Sequence, residues 1–299
     1  MQKGIKFRIY PNREQQNLIN QTLGCCRLIY NKGLAMRNEA YENGNKIGYA
    51  QTSAMLTELK KCEDFAFLKV VDSIALQQSL RDLDRGFVNF FQKRAAHPIF
   101  KSKHNRHQSY RTINQGDNIR IAGKYLKLPK LGYVKVRQSM EIGKIHNVTI
   151  EHTPTGKYFA VLNVEFEPQP MPNKGGMIGI DVGIKEFYSD SNGNVVANPK
   201  YLEKSMRKLV REQRKLSRKQ KGSNNRNKQR VKVALVHEKI TNQRNDFLQK
   251  QSTILIRENQ TICIEDLKVK NMMRNHKLAQ HIGSASSFTI CARISATSP

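Results

Sequence analysis

Apolar and polar residues alternate through GIKFRIYP at the start of the chain, and the alternation stops at Pro11, which predicts a short strand. Asn12 with Gln15 has the spacing of a helix-opening cap. The following stretch, NREQQNLINQTLGCCRLIYNKGLAMRNEAYENG, sets Leu18, Thr22, Cys25 or Cys26, Ile29 and Leu34 at helical intervals and ends at Gly44. A second helix is predicted in QTSAMLTELKKC. A third, in SIALQQSLRDLDRGFVNFFQKRA, carries Leu76, Leu80, Leu83, Phe87, Phe90 and Phe91 on one face. Residues 12–95 therefore read as mostly a helical bundle.

The pattern changes near residue 97. HPIFKSKHNRHQSYRT is basic and turn-rich, and short alternating runs follow: NIRIAG, YLKLP, GYVKVRQ, NVTIEH and YFAVLNVEFEP. These predict antiparallel strands punctuated by glycine and proline. PQPMPNKGG reads as a linker. Beyond it, MIGIDVGIKEFYSDSNGNVVANP reads as strand, turn and strand with a tight SNGN turn, a hairpin pattern. A long helical span is expected from Tyr201 to about Lys221, broken at KGSNNRNK, with another from about Arg230 to Arg257. The last apolar run, TICIEDL, predicts a further strand that carries an acid.

Composition adds charge to this picture. The 299 residues are enough for about two domains. They hold 52 Lys+Arg against 24 Asp+Glu, a formal net charge of +28, and an excess of that size calls for a polyanionic partner, nucleic acid before any anionic membrane surface. No apolar stretch approaches the ~18 residues of a spanning helix, and the opening MQKGIKFRIYPNREQQ lacks the apolar core of a signal peptide. Cys25, Cys26, Cys62, Cys263 and Cys291 are odd in number, scattered and without a CxxC pair, so they outline neither a disulfide framework nor a zinc site. The expected setting is cytoplasmic and nucleoid-associated, with reduced thiols.

Two apolar runs each carry a carboxylate: GIDVG at Asp181 and CIEDL at Glu265. If both runs lie in one sheet, the two acids converge, which is how nucleases hold Mg²⁺ with hard oxygen donors. Asp266 follows directly, but successive strand side chains face opposite ways, so a regular strand offers only one of the two acids to a site; Glu265 is chosen because Ile262 and Ile264 flank it. Spacing alone leaves the alternative open that Asp181 caps a turn and Glu265 a following helix.

The helical spans between the acids are strongly basic. From Lys204 to Lys232 there are thirteen Lys or Arg and one acid, Glu212. Leu202, Met206, Leu209 and Leu216 leave a stripe for packing, and the other faces are free to meet phosphates. The candidate nucleic-acid contacts are Arg207, Lys208, Arg211, Arg214, Lys215, Arg218, Lys219, Arg226, Lys228, Arg230 and Arg244, with Lys101 and Lys103 from the earlier basic stretch. His97, His104 and His107 lack cysteine or acid partners nearby. They are read with Lys101, Lys103 and Arg106 as contacts to phosphate or water, not as zinc ligands. Cys25 and Cys26 on an apolar helix face are read as core.

Several stretches resemble one family in its own order: KFRIYPNREQQ with GCCRLIYNKGLA, PIFKSK, IGIDVGIKEF, LVREQRKLSRKQKGSNNRNK, HEKITNQRNDFLQKQST and IEDLKVKNM. Together, over roughly residues 3–282, they are similar to the TnpB/OrfB proteins of bacterial insertion sequences, long described as transposases and akin to the ancestors of type V CRISPR effectors. The resemblance implies an RNA-guided DNA endonuclease. Its fold is α+β / α/β and multidomain, with a strand-rich, β-barrel-like wedge domain in residues 1–11 and 97–170. A helical recognition domain, residues 12–96, is inserted in it. An RNase H-like (RuvC) nuclease domain, residues 171–282, follows. Asp181 and Glu265 then correspond to the first and second RuvC carboxylates, with Mg²⁺ or Mn²⁺ as cofactor. A guide RNA and a target DNA are the implied partners, base pairing reading the sequence while the basic helices hold the heteroduplex by its backbone; oligomeric state is left open.

After HKLAQHI the family continues into a zinc ribbon and a strand bearing a third catalytic aspartate, whereas this sequence reads GSASSFTICARISATSP. The expectation is therefore an incomplete nuclease domain with an aberrant tail, residues 283–299, no zinc site, and weak cleavage or none. A catalytically dead RNA- or DNA-binding remnant or repressor is the alternative function; a DNA-joining transposase and a ribosomal-type RNA-binding protein are further ones.

Overall fold

In the computed structural model, residues 1–105, 108–167, 175–183 and 185–265 are described; Arg106, His107, Asp266, most of the expected linker and the 283–299 tail lie outside them. The chain divides into two compact units, Met1–Glu167 and Pro168–Pro299.

The first unit opens with β1 (Gln2–Tyr10) and then α1 (Arg13–Glu42). The predicted cap is in place. The Asn12 side chain accepts from the Gln15 N–H at 2.8 Å, and Gln15 Oε1 accepts from the Asn12 N–H at 3.0 Å, so two N–H groups that no helical carbonyl can reach are satisfied reciprocally. The Gln15 amide also donates to the carbonyls of Leu131 and Tyr133, fixing the helix start to the sheet. Then come α2 (Tyr49–Lys61), a short 3-10 turn at Glu63–Lys69 and α3 (Ser73–Phe91). Leu76, Leu80, Leu83 and Phe87 of α3 are buried as the periodicity predicts, but Phe91 is 69% exposed. The helix ends at that residue, so the spacing that keeps the stripe facing inward stops there.

Six strands follow: β2 (Gln108–Ile113), β3 (Arg120–Ala122), β4 (Tyr125–Leu128), β5 (Gly132–Arg137), β6 (Ile145–His152) and β7 (Tyr158–Glu165). With β1 they form an antiparallel sheet in the order β2-β6-β7-β1-β5-β4-β3. β1 is central, and its Phe7 and Ile9 enter a core shared with Ile19, Cys25, Cys26 and Ile29 of α1 and Leu76 and Leu80 of α3. Helices and sheet thus close on one hydrophobic interior. Burial raises the Cys26 thiol to about 12, that of an inert core residue. Gly33 marks a close approach of α1 to α3: a Cβ there would lie 2.8 Å from Leu80 Cδ2.

The second unit contains β8 (Met177–Asp181), β9 (Glu186–Asp190), β10 (Val195–Ala197), α4 (Tyr201–Ser217), α5 (Asn224–Glu258) and β11 (Thr261–Ile264). The sheet order is β10-β9-β8-β11, antiparallel except for the parallel pair β8–β11. The Asp190 carboxylate accepts from the N–H groups of Asn192 and Asn194, both at 2.9 Å, and Gly193 takes φ +82° to close the SNGN turn. α5 starts earlier than expected: Ser223 caps it, its hydroxyl accepting from the Arg226 N–H. The helix is about 50 Å long at 1.5 Å per residue. Its first half packs Val233, Val236 and Ile240 on Leu209 of α4, and its second half packs Leu248 and Leu255 on the sheet. No helix among the described residues is long and apolar enough to cross a membrane.

Candidate functional site

β8 and β11 pair in parallel with Ile178 beside Ile262 and Ile180 beside Ile264, and these four side chains turn into the core of Phe187, Leu248 and Leu255. Strand alternation then sends the next position to the opposite face. On β8 that position is Asp181, the last residue of the strand. The pairing ends at Ile180 and Ile264, so Asp181 and Glu265 are the residues that immediately follow the two paired positions. On its other side Asp181 pairs with Ser189 of β9.

Both carboxylates are exposed at the carboxyl ends of their strands. The sequence suggested an acid inside a buried run; the structure sets it where the run ends, so its charge stays in water and costs no desolvation. Gly183 follows because the turn is tight: a Cβ there would lie 2.9 Å from the Glu186 carbonyl oxygen. Among the described residues no cluster of three His, Cys, Asp or Glu could hold a metal ion. Carboxylates such as those of Asp181 and Glu265 are hard oxygen donors, the type that Mg²⁺ and Mn²⁺ take.

The basic hairpin is built on a narrow apolar seam, Leu209 with Val233, Val236 and Ile240, flanked by Tyr201, Leu202 and Leu216. Glu212, the one acid of the basic stretch, is buried in it. Its Oε2 accepts from Gln229 Nε2 at 2.7 Å, and its backbone carbonyl accepts from the same amide at 3.1 Å. That hydrogen bond, with Lys215 and Arg211 adding, holds the carboxyl below the usual glutamate range. Periodicity did not expose this latch, since an acid among lysines looks solvated.

Most of the predicted cations lie on the open faces: Arg207, Lys208, Arg211, Arg214, Lys215 and Arg218 on α4 and just after it, with Lys228 and Arg230 on α5, are exposed. Three are differently engaged. Arg226 donates to the carbonyls of Leu216 at 2.7 Å and Lys219 at 2.9 Å, closing the end of α4. Lys219 is half-buried. Arg244 is also half-buried and lines a cavity of about 300 Å³ with Tyr201, His237 and Phe247, its Nε without a hydrogen-bond partner among the described residues.

In the first unit Lys103 is exposed. Lys101 is exposed as a residue, but its ammonium lies 3.9 Å from the Tyr30 ring centroid, and burial lowers its pKa. Of the three histidines, His97 packs edge-on against the rings of Phe87 and Phe90, His104 is exposed, and His107 is outside the described residues.

Residues 154–276 match the family model described as a probable transposase of the IS605 OrfB type, and residues 1–46 match the helix-turn-helix model of the same group. Here that second segment is a strand followed by one long helix. A protein of Streptomyces pristinaespiralis named "Putative RNA-guided DNA endonuclease" is 41% identical over 290 residues, covering 95% of this chain and 72% of the relative. One of Escherichia coli K12 with the same name and the designation InsQ is 37% identical over 276 residues, covering 91% of this chain and 68% of the relative. A chain from a cryo-EM structure of a CRISPR-Cas12f ternary complex aligns with 86% of this chain and 64% of its own length at 12% identity, with a TM-score of 0.34 too low to carry weight. With such identity over more than two thirds of both relatives, the chain belongs to the IS605 OrfB family, that of the TnpB proteins.

Proposed function

We propose that this chain is an RNA-guided, metal-dependent DNA endonuclease of a transposable element. Its residues 175–265 would be the core of an RNase H-like nuclease domain, and its antiparallel sheet with α1 to α3 the wedge and recognition portion. The observation that supports the reading is the parallel pairing of β8 with β11, which ends at Ile180 and Ile264, each one residue before a carboxylate. The carboxylates of Asp181 and Glu265 would hold Mg²⁺ or Mn²⁺. That ion, when bound, would polarise a phosphoryl oxygen and lower the pKa of a bound water. The exposed cations of α4 and α5 would fix the strand by its phosphates, while Leu209, Val233 and the Glu212–Gln229 latch keep the two helices in step. Base pairing to the guide RNA would read the sequence.

The test is cleavage of a target duplex by the protein with its guide RNA and Mg²⁺. Cutting should vanish with a chelator. Asp181→Ala and Glu265→Gln should each reduce it by more than the roughly 10–100-fold typical of residues that only support a metal's ligands. Cleavage indifferent to both substitutions would end the proposal. The alternative reading is a protein that binds RNA and DNA but does not cut. It predicts intact binding with no metal-dependent product in the same assay. In either case affinity should fall with salt, by a slope of about 0.9 per duplex phosphate neutralised.

A further inference from the structure

The segment after α3 is tied down along its length yet leaves its largest apolar side chains in water. His97 packs against Phe87 and Phe90, with ring centroids 5.3 and 5.1 Å away. Pro98 lies against Gly86. The Asn31 side chain grips the backbone of Lys101 at both ends, donating to its carbonyl at 3.0 Å and accepting from its N–H at 2.8 Å. The Lys101 ammonium is spent on the Tyr30 ring. Between these anchors Ile99 is 79% and Phe100 57% exposed, and Phe91, stacked on Phe87 at 6.3 Å, is 69% exposed. A loop held at this many points has the means to bury its rings and does not, which marks a surface that meets something.

Charge says what. From Arg85 to Gly116 the sequence contains no acid and seven Lys or Arg. Arg85, Lys93, Arg94 and Lys103, close to the rings in sequence, are exposed. Aromatic faces near exposed cations suit unpaired bases on a phosphate backbone, and in RNA such bases are offered by loops and single-stranded segments. We infer that Phe91, Ile99 and Phe100 form a stacking platform for unpaired nucleotides of the bound RNA, and that Lys101 and Asn31 position it instead of gripping phosphate. The inference rests on the nucleic-acid reading above and deepens it by naming the surface and the form of the strand.

Binding of a fluorescein-labelled short oligouridylate, without metal or target DNA, tests it separately from cleavage. Phe100→Ala and Phe91→Ala should each weaken binding roughly 5- to 150-fold. The salt slope should stay unchanged, because no phosphate contact is lost. Phe100→Tyr should restore affinity, and a short RNA duplex should feel neither alanine. Asn31→Ala should weaken oligouridylate binding in the same way without altering the salt slope, whereas Lys103→Ala should lower the slope. Circular dichroism melts confirm that the variants fold. Oligouridylate binding unmoved by Phe100→Ala, an equal loss on the duplex, or a wild-type dimer that Phe100→Ala dissolves would each overturn the platform while leaving the endonuclease proposal standing. A wild-type protein that binds no RNA would overturn both.

Discussion

Ile19, Ile29, Leu76, Leu126 and Val148 of the first unit are completely shielded from water and belong to one core joining helices and sheet, whereas the best-buried apolar side chains of the second unit, such as Phe187, Ile180, Leu248 and Leu209, each keep a few per cent of their surface and fall into two separate clusters. The first unit spends its sequence on burial. The second spends thirteen cations on one hairpin and holds it with a seam one side chain wide. The difference is between a scaffold that stands by its own packing and a surface whose like charges repel until a polyanion screens them.

That contrast can be broken most directly by cutting cavities. Leu76→Ala should destabilise the first unit by about 2–5 kcal/mol, since every methyl removed was buried. Leu209→Ala, at the thinner seam, should cost about 2 kcal/mol and loosen α4–α5 alone. Urea unfolding followed by proteolytic mapping distinguishes the two, and equal losses spread over both units would refute the comparison. A smaller effect is expected at the helix start: Asn12→Ala removes the reciprocal cap and should cost about 1 kcal/mol, read from the same urea curves. The smallest is a pH effect. Because the folded Glu212 carboxyl titrates below its unfolded value, the latch contributes fully above the ordinary glutamate range, and its contribution is lost as pH falls through the depressed folded pKa. Glu212→Gln should flatten the acid side of the hairpin's melting profile; an unchanged profile would mean the latch is not coupled to folding.

Local chemistry was legible in the sequence where neighbours in the chain decide the structure. Asn12 with Gln15 announced a helix start, Leu76, Leu80, Leu83 and Phe87 announced a buried face, and SNGN announced a turn. Legibility failed where distant residues decide. KGSNNRNK looks like a break throughout because glycine and asparagine suggest loop, but from Asn224 onward it is helix, held by Ser223 and by Arg226 and Gln229 reaching back to α4. Lys101 looked like a phosphate contact because nothing local foretells Tyr30 beneath its ammonium. The pairing of Ile180 with Ile264 has no local signature, since parallel strands are matched by the chain that folds between them.

That parallel pairing also orders events in time. β8 cannot meet β11 until α4 and α5 have been made and folded back, so closing this loop is among the slow, entropically costly steps of folding. A nascent chain that has emerged only as far as Glu258 owns Asp181 but not Glu265, and the whole of the cationic hairpin. On the proposed function, the capacity to hold nucleic acid would be assembled ahead of any capacity to act on it.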